Sequence, residues 1–388
     1  MDFGLTEIQE MIRANARDFL AEYAKPESLR EALEDPGIPI ADSDYWSRVS
    51  ELGWPGLAIP EQYGGAGMSF ADLAVLLEEW GAALAPGPLF ETAVIGTAVI
   101  EEFGSDDQKR NLLPRMAAGE LIATLAFHEE HAAWDPSVIN MRGTQQRRGW
   151  QLNGHKRFVP HADTAHVLIT AARTGPEPHD LTLFLVSNEY APGAPEQGET
   201  EGSGITFAPM HSASGRPIFA VDFHDVELWE DAVLGRQKNG GELIGTILQR
   251  AAAGRAVQMA GAAQRVLDMT VEYVSNRRQF GRAVGSFQAV QHHCAEMAIA
   301  ARSTRHMAYS AAWRISEGMP AAREVAQAKI AANDALLKVC RLSHQCHGAI
   351  GFTWEHDLHL YTRSALEWRA DYGNTEDHRG VLANELLL

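Results

Sequence analysis

Hydrophobic and polar positions change their period twice along the chain. Between residues 6 and 119 apolar side chains recur at helical spacing, as in Leu73, Leu76, Leu77 and Trp80. From residue 121 to residue 234, short runs rich in β-branched and aromatic residues predict strands at 122–127, 150–159, 166–171, 181–186, 205–209 and 219–226. After Gly240 the helical period returns in long segments at 243–276, 286–317 and 321–347, and a further helical segment follows residue 357.

This order of elements predicts an α+β multidomain protein. We expect an N-terminal α-helical domain over residues 1–120, a middle antiparallel β-barrel domain over residues 121–234, and a C-terminal four-helix bundle over residues 235–388. Alanine at many interior positions of the long helices favours a closely packed bundle. The length of 388 residues suffices for two or three domains.

The composition argues against several classes of function. A formal net charge of −18 opposes binding to nucleic acid, whose phosphates are also negative. The chain has no uninterrupted apolar run long enough for a membrane span, so none is expected. The first residues lack a basic segment followed by an apolar one, and the three cysteines have no metal-type spacing. We therefore expect a cytoplasmic protein with reduced thiols.

Two segments at the ends of the long helices carry candidate chemistry. The first contains Arg277, Phe280, Gly281 and Gln288, at the end of one helix and the start of the next. An arginine at a helix end can bind a phosphate through two hydrogen bonds. Such a charge also complements the helix dipole without any ligand, so both interpretations stay open on these residues alone.

The second segment follows the third long helix. It begins at His344 and includes Gln345, Gly348 and Ala349. Its small residues would leave a bare backbone surface for a flat or phosphorylated ligand, although a glycine that ends a helix explains them more simply. Of the histidines here, only His344 and His347 have a spacing suited to a metal, and no carboxylate cluster accompanies them. We therefore expect no metal.

In combination, the two segments resemble the acyl-CoA dehydrogenase family. The pattern Arg-x-x-Phe-Gly precedes Phe-Gln, and Gln-x-x-Gly-x-x-Gly-Phe-Thr follows further along the chain. The N-terminal part agrees through Gly53-Trp54, Pro60-Glu61-x-Tyr63-Gly64-Gly65-x-Gly67, Gln108-Lys109, Leu113-Pro114 and Gly119-Glu120. The resemblance covers nearly the whole chain in the right order.

The resemblance implies FAD as cofactor, acyl-CoA thioesters as substrates, α,β-dehydrogenation, and a tetramer built on the C-terminal bundle. It also implies that electrons leave for an electron-transfer flavoprotein or a similar acceptor. In the family, the two segments reach across a subunit interface to the FAD of the neighbour. By motif match, the pyrophosphate would lie against Arg277, and the adenosine half beside Phe280 and Gln288. The residues that would line the same channel are Gln345, Gly348 and Ala349.

The resemblance breaks at the positions that would face the flavin. The family's stretch with Thr-Glu-Pro is replaced by residues 128–135, of which only Glu129 and Asp135 match. Further on, Phe158 stands in place of a tryptophan. Pro160 stands in place of a threonine whose hydroxyl would lie near the reactive flavin nitrogen, and proline has neither a hydroxyl nor an N–H to donate.

The catalytic base is missing from its expected positions as well. α,β-Dehydrogenation removes an α-proton with a carboxylate while a hydride leaves the β-carbon. Most family members place a glutamate where this chain has Tyr372, and a second branch places it where this chain has Ala251. No carboxylate lies between Glu242 and Asp268, so a shift of a few residues does not supply one.

These features lead to three functional hypotheses. Residues 354–361 resemble a subgroup from bacterial steroid side-chain degradation, in which two unlike subunits form an α2β2 tetramer. In such a heterotetramer, this chain would be the supporting subunit that lacks the base. Alternatively, the chain is a self-sufficient homotetrameric acyl-CoA dehydrogenase that uses Asp371, Glu376 or another carboxylate. The third hypothesis is a non-enzymatic structural homologue without FAD, against which the retained cofactor pattern argues.

Overall fold

The structure is a computed structural model that describes residues 4–35, 43–130, 134–177, 180–188 and 204–386. Within these ranges, eleven α-helices and ten strands follow the order helices, strands, helices. Of the stretch 128–135, residues 131–133 lie outside the described ranges. The chain divides into two compact units.

The first unit is helical and joins Met1–Leu33, Ser69–Pro86 and Ala251–Leu388. Its helices are α1 (Glu7–Tyr23), most of α2 (Pro26–Glu34), α4 (Phe70–Ala82), most of α7 (Gly240–Asn276), α8 (Gln288–Ser316), α9 (Ala322–His347), α10 (Leu358–Trp368) and α11 (Thr375–Glu385). Capping boxes fix where three of them begin, because the side chains of Thr6, Ser69 and Asn374 accept from backbone N–H groups that the helix leaves unpaired.

Two glycines let α4 and α7 pack closely in this unit. A Cβ on Gly81 would lie 2.1 Å from the carbonyl oxygen of Gln258, and a Cβ on Gly261 would lie 1.9 Å from that of Glu78. Only glycine allows backbones to approach so closely. The Glu78 carboxylate is held beside this crossing by Arg305, whose Nε lies 2.5 Å from Oε1. The crossing therefore joins an N-terminal helix to the C-terminal bundle.

The second unit joins Glu34–Met68 and Gly87–Arg250. Its helical parts are α3 (Ser43–Glu51), a π-helix at Phe90–Gly96, α5 (Thr97–Phe103) and α6 (Asp106–Ala117). One sheet of eight strands forms its middle domain. The strands are β1 (Ala123–Ala126), β2 (Arg142–Gln146), β3 (Gly149–Pro160), β4 (Val167–Arg173), β5 (Leu181–Ser187), β6 (Ile205–Met210), β7 (Ile218–Trp229) and β8 (Val233–Leu234).

The sheet has the strand order β6-β7-β3-β2-β4-β5-β8, with β1 beside β4. Its pairs are antiparallel, except that β4 runs parallel to β1 and, at one residue pair, to β2. Trp150, Phe184 and Phe223 lie in the apolar core beneath it. The pairing of β3 with β7 shifts register twice along β3, the second time between Lys156 and Val159. Such irregularities redirect side chains, here in the segment predicted to face the flavin.

The structure confirms the predicted fold class, with helical N- and C-terminal domains and a β-sheet domain between them. The boundaries of the three domains stay a prediction. The sequence pattern does not predict β2, because only one of its five residues is buried and none is apolar and branched. No helix of the described residues is both long and apolar enough to cross a membrane.

Replacing Gly261 with alanine should destabilise the protein, because the new Cβ would overlap the Glu78 carbonyl. We expect a loss of about 1–3 kcal/mol in the free energy of unfolding, measured by chemical denaturation. Gly245→Ala on the same helix is the matched control, since a Cβ there meets nothing within 4 Å. This control should be neutral or stabilising by ~0.5–1 kcal/mol. Equal effects of the two substitutions would contradict the close crossing.

Candidate functional site

A short hairpin carries the first predicted segment. After α7 ends at Asn276, β9 (Arg278–Gln279) and β10 (Arg282–Ala283) pair across a two-residue turn. The turn residues Phe280 and Gly281 both have positive φ, 53° and 77°, as in the tight turns that match the twist of hairpin strands. The Phe280 ring lies at the tip and is 90% exposed. A phenylalanine in the left-handed region is uncommon, which marks this tip as a candidate contact surface.

Arg277, just before the hairpin, opens onto a pocket that we call the arginine pocket. It has a volume of about 550 Å³, and its lining includes Arg265, Tyr273, Asn276, Arg277, His347 and His356. Arg277 is exposed, and its side chain has no hydrogen-bond or ion-pair partner among the described residues. The guanidinium groups of Arg265 and Arg277 give the pocket donors of the kind that bind phosphate oxygens.

Gln345, Gly348 and Ala349 line a second pocket, which we call the glutamine pocket, of about 920 Å³. Gly348 has φ of 68°, and a Cβ there would meet nothing within 4 Å, so its backbone is open to a ligand. Phe352, in the same lining, stacks on His344 with ring centroids 4.3 Å apart. The Phe352 side chain is 72% exposed, which leaves an aromatic face available for stacking.

The structure therefore brings the predicted cofactor residues together only in part. Arg277 lies in the arginine pocket, and Gln345, Gly348 and Ala349 lie in the glutamine pocket. Phe280 and Gln288 are exposed and belong to the lining of neither pocket. The hydrogen-bond donors of the arginine pocket fit the pyrophosphate of FAD. The open backbone and the aromatic face of the glutamine pocket fit its flat adenine. The roles of the individual residues stay proposals.

Near the expected flavin face, the retained Glu129 has structural partners. It accepts hydrogen bonds from Lys156 Nζ at 2.9 Å and from the N–H groups of Asn140 and Met141 at 2.7 and 2.9 Å. Burial acts to raise the pKa of Glu129, but the charge of Lys156 and the N–H donors outweigh it and lower that pKa. Lys156 is fully buried, and desolvation lowers its pKa to about 8. This pair joins β3 to the segment that follows β1.

The end of β3 keeps its shape without the expected hydroxyl. Pro160 is buried, and its carbonyl accepts a hydrogen bond from the Thr124 hydroxyl at 2.7 Å. Phe158 has φ of 56° and is 41% exposed, so its ring remains available for contact with a ligand. His128 lies edge-on to Phe158, with ring centroids 6.3 Å apart. This surface offers an aromatic ring at residue 158 and no hydrogen-bond donor at residue 160.

Buried polar groups hold the loop at residues 371–373, where the base is expected. Tyr372 is buried in the left-handed region with φ of 56°, and its carbonyl accepts from His378 Nε2 at 3.0 Å. Lys329 Nζ, on α9, donates to the carbonyl oxygens of Trp368 and Gly373, each at 3.1 Å. Burial lowers the pKa of Lys329 to about 7. The backbone is thus fixed on both sides of residue 372.

Arg255 lies beside both expected base positions. It is buried on α7 one turn after Ala251, which is also buried. Its Nη2 is 3.2 Å from Asp371 Oδ2, and its guanidinium carbon lies 5.7 Å from the centroid of the Tyr372 ring. An ion pair favours the ionised carboxylate over its protonated form, which weakens Asp371 as a proton acceptor.

The other candidate base, Glu376, is on the surface of α11. It is exposed and pairs with Arg379 at 2.6 Å.

Sequence reasoning did not assign any role to Arg255 or Lys329. The available signal was their placement inside alanine-rich helices, where an unpaired charge would be costly and a buried partner is therefore required.

Comparison with known proteins matches most of the chain to one family. Residues 6–120 match the model of the acyl-CoA dehydrogenase N-terminal domain, and residues 238–387 match the model of its C-terminal domain. A probable acyl-CoA dehydrogenase of Bacillus subtilis is 27% identical over 392 residues, which cover 100% of both chains. Butyryl-CoA dehydrogenase from Megasphaera elsdenii has a structure with TM-score 0.90 and 25% identity, again over 100% of both chains. A structure described for the electron transferring flavoprotein of Acidaminococcus fermentans has TM-score 0.90 and 26% identity over 100% of both chains.

Arg277→Ala should weaken retention of a flavin dinucleotide by the assembled protein, because it removes a donor to the pyrophosphate. The expected loss of affinity is about tenfold or more, measured as flavin absorbance that remains after dialysis. Arg278→Ala is the matched control, since Arg278 is an exposed neighbour outside the lining of the arginine pocket. If the Arg277 variant keeps its full absorbance, or if both variants lose it equally, Arg277 has no specific role.

Proposed function

The chain belongs to the acyl-CoA dehydrogenase family of FAD-dependent oxidoreductases acting on CH–CH bonds, and we propose that it is the supporting subunit of a heterotetramer. When bound, FAD supplies the hydride acceptor for α,β-dehydrogenation of an acyl-CoA thioester. The observation that carries the proposal is the Arg255–Asp371 ion pair beside Tyr372. Residue 372 carries a phenol in place of the carboxylate that removal of the α-proton needs.

The preserved cofactor surface supports a role in an assembly. Arg277, Gln345 and Gly348 are exposed and line open pockets, as expected of residues that serve a cofactor held by a neighbouring subunit. Helix α8 also carries exposed apolar side chains, of which Ile299 is 67% exposed and Met307 43%. Exposed apolar side chains on a bundle helix favour pairing with another bundle. In our proposal, the homologous partner subunit contributes the glutamate base.

We further propose an acyl-CoA ester with a steroid side chain as the substrate, on the resemblance of residues 354–361 to the heteromeric subgroup. An electron-transfer flavoprotein or a similar protein is the proposed electron acceptor. A cytoplasmic location stays a prediction from the sequence. These finer assignments rest on the sequence pattern, since the relatives share less than a third of their residues with this chain.

A second candidate is a self-sufficient homotetramer that uses Asp371 as its base. Asp371 is adjacent to Tyr372 and half-buried, which favours this candidate over one based on Glu376. For catalysis, however, Asp371 would have to take up a proton while Arg255 lies 3.2 Å from its oxygen. The ion pair opposes that step, so we place this candidate second.

The purified chain alone should show little or no acyl-CoA dehydrogenase activity, whereas co-expression with a homologous partner that carries the helix glutamate should restore it. Loss of a general base lowers rates by ~10²–10⁴. The measurement is an electron-acceptor assay with medium-chain, long-chain and steroid-side-chain CoA esters. Robust turnover by the homomer would refute the supporting role.

Two substitutions in the active mixed complex locate the base. Changing the partner's helix glutamate to glutamine should abolish turnover, because the amide does not accept the α-proton. Asp371→Asn in this chain should leave turnover nearly unchanged. The opposite pair of results would assign the base to Asp371 and establish the second candidate.

A further inference from the structure

The arginine pocket contains histidines that the family pattern of cofactor residues does not include. His347 is the last residue of α9, and His356 lies in the loop that follows. Their rings meet edge-on with centroids 4.8 Å apart. Both line the pocket together with Arg265 and Arg277. Imidazoles and guanidinium groups therefore face the same cavity.

The hydrogen bonds of His347 define which ring nitrogen carries its proton. Its Nδ1 lies 2.9 Å from the carbonyl oxygen of Ser343, which can only accept, so Nδ1 is the protonated nitrogen. The ring is also stacked on Tyr273, with centroids 4.4 Å apart and planes 24° from parallel. Nε2 is left as the unprotonated nitrogen. A second proton on Nε2 would turn it into a donor without breaking the bond to Ser343.

His356 has the opposite arrangement. Its Nδ1 lies 3.1 Å from the backbone nitrogen of Leu358, which donates, so Nδ1 is the acceptor and Nε2 carries the proton. A second proton on His356 would break this hydrogen bond. Of the two histidines in the pocket, His347 is therefore the one that can become charged while it keeps its present contacts.

The charges around His347 oppose its protonation until an anion enters. Burial lowers the pKa of His347 below its ordinary value, and a charged His356 would lower it further. The facing groups are Arg265, Glu272 and Tyr273 from α7 and Arg277 from the residue that follows this helix, so cations outnumber the single carboxylate. On its own helix, His344 lies one turn earlier and adds no negative charge. A multivalent anion between the guanidinium groups would reverse this balance and favour the imidazolium.

We propose that His347 is a proton-coupled ligand for a diphosphate in the arginine pocket. On binding of the diphosphate, Nε2 takes up a proton from solvent and donates it in a hydrogen bond to a phosphate oxygen beside Arg277. The inference rests on the proposed function in that the diphosphate is assigned to FAD. It adds a residue and a pH dependence to that site.

The sign of the pH dependence follows from the two states of His347. The pKa is low in the free protein and higher in the complex, so binding takes up a proton between these two values. In that window the affinity rises as the pH falls, by at most about tenfold per pH unit. Above the higher pKa and below the lower one, His347 adds no pH dependence.

Isothermal titration calorimetry of the full-length chain with inorganic pyrophosphate tests the proposal. Titrations slightly below neutral pH, in two buffers of different ionisation enthalpy, give the number of protons taken up. Wild type should take up more protons than His347→Asn, whose amide N–H can still donate to Ser343 but does not titrate. Because pyrophosphate titrates too, the comparison between proteins is the readout. His292→Asn, at an exposed histidine outside the lining of the arginine pocket, is the matched control and should behave like wild type.

Equal proton uptake by wild type and the His347 variant would overturn the proposal, and so would a failure of wild type to bind pyrophosphate. His347→Gln guards against a folding defect, and both variants are checked for an unchanged melting temperature.

The same titrations with FAD separate this inference from the proposed function. Proton uptake linked to His347 with pyrophosphate, but no binding of FAD, would leave the diphosphate ligand standing and refute the flavin assignment. Tight FAD binding with equal proton uptake by wild type and the His347 variant would support the flavin assignment and refute the role of His347.

Discussion

The burial of Lys329 is the constraint on which the candidate active site depends. An ammonium group without water must be surrounded by acceptors, and here the carbonyl oxygens of Trp368 and Gly373 meet that need together with Asn333 Oδ1 at 2.7 Å. Because those carbonyls lie on either side of residue 372, the lysine fixes the backbone of the 371–373 loop. These hydrogen bonds do not involve the side chain of residue 372.

In our proposal, that constraint lets the chain keep the backbone of the expected base position without a glutamate there. With the loop held by its backbone, the expected base position carries a phenol, and Arg255 binds the adjacent Asp371. The binding features remain: two open pockets with phosphate donors, bare backbone and an aromatic face. In our proposal, this combination is a division of labour in which this chain contributes contacts to the cofactor and its partner supplies the proton acceptor.

The sequence allowed prediction of whatever depends on local pattern. Periodicity located the long helices α7, α8 and α9, and the runs of β-branched residues located β1 and β3 to β7. Residue motifs selected Arg277 and Gln345, yet their separation into two pockets depends on how α7 and α9 pack. The Arg255–Asp371 pair joins residues more than a hundred positions apart, and the protonated nitrogen of His347 depends on a carbonyl one turn away. Such contacts depend on how distant segments pack, so the order of residues along the chain does not predict them.

Anaerobic mixing of the flavin-loaded chain with an acyl-CoA ester separates cofactor binding from proton abstraction. In the absence of any partner subunit, we predict that the visible absorbance of the oxidised flavin persists after the ester is added, because no base removes the α-proton. Rapid loss of that absorbance in the homomer, at a rate comparable with turnover of the mixed complex, would show that this chain carries its own base and would contradict the division of labour.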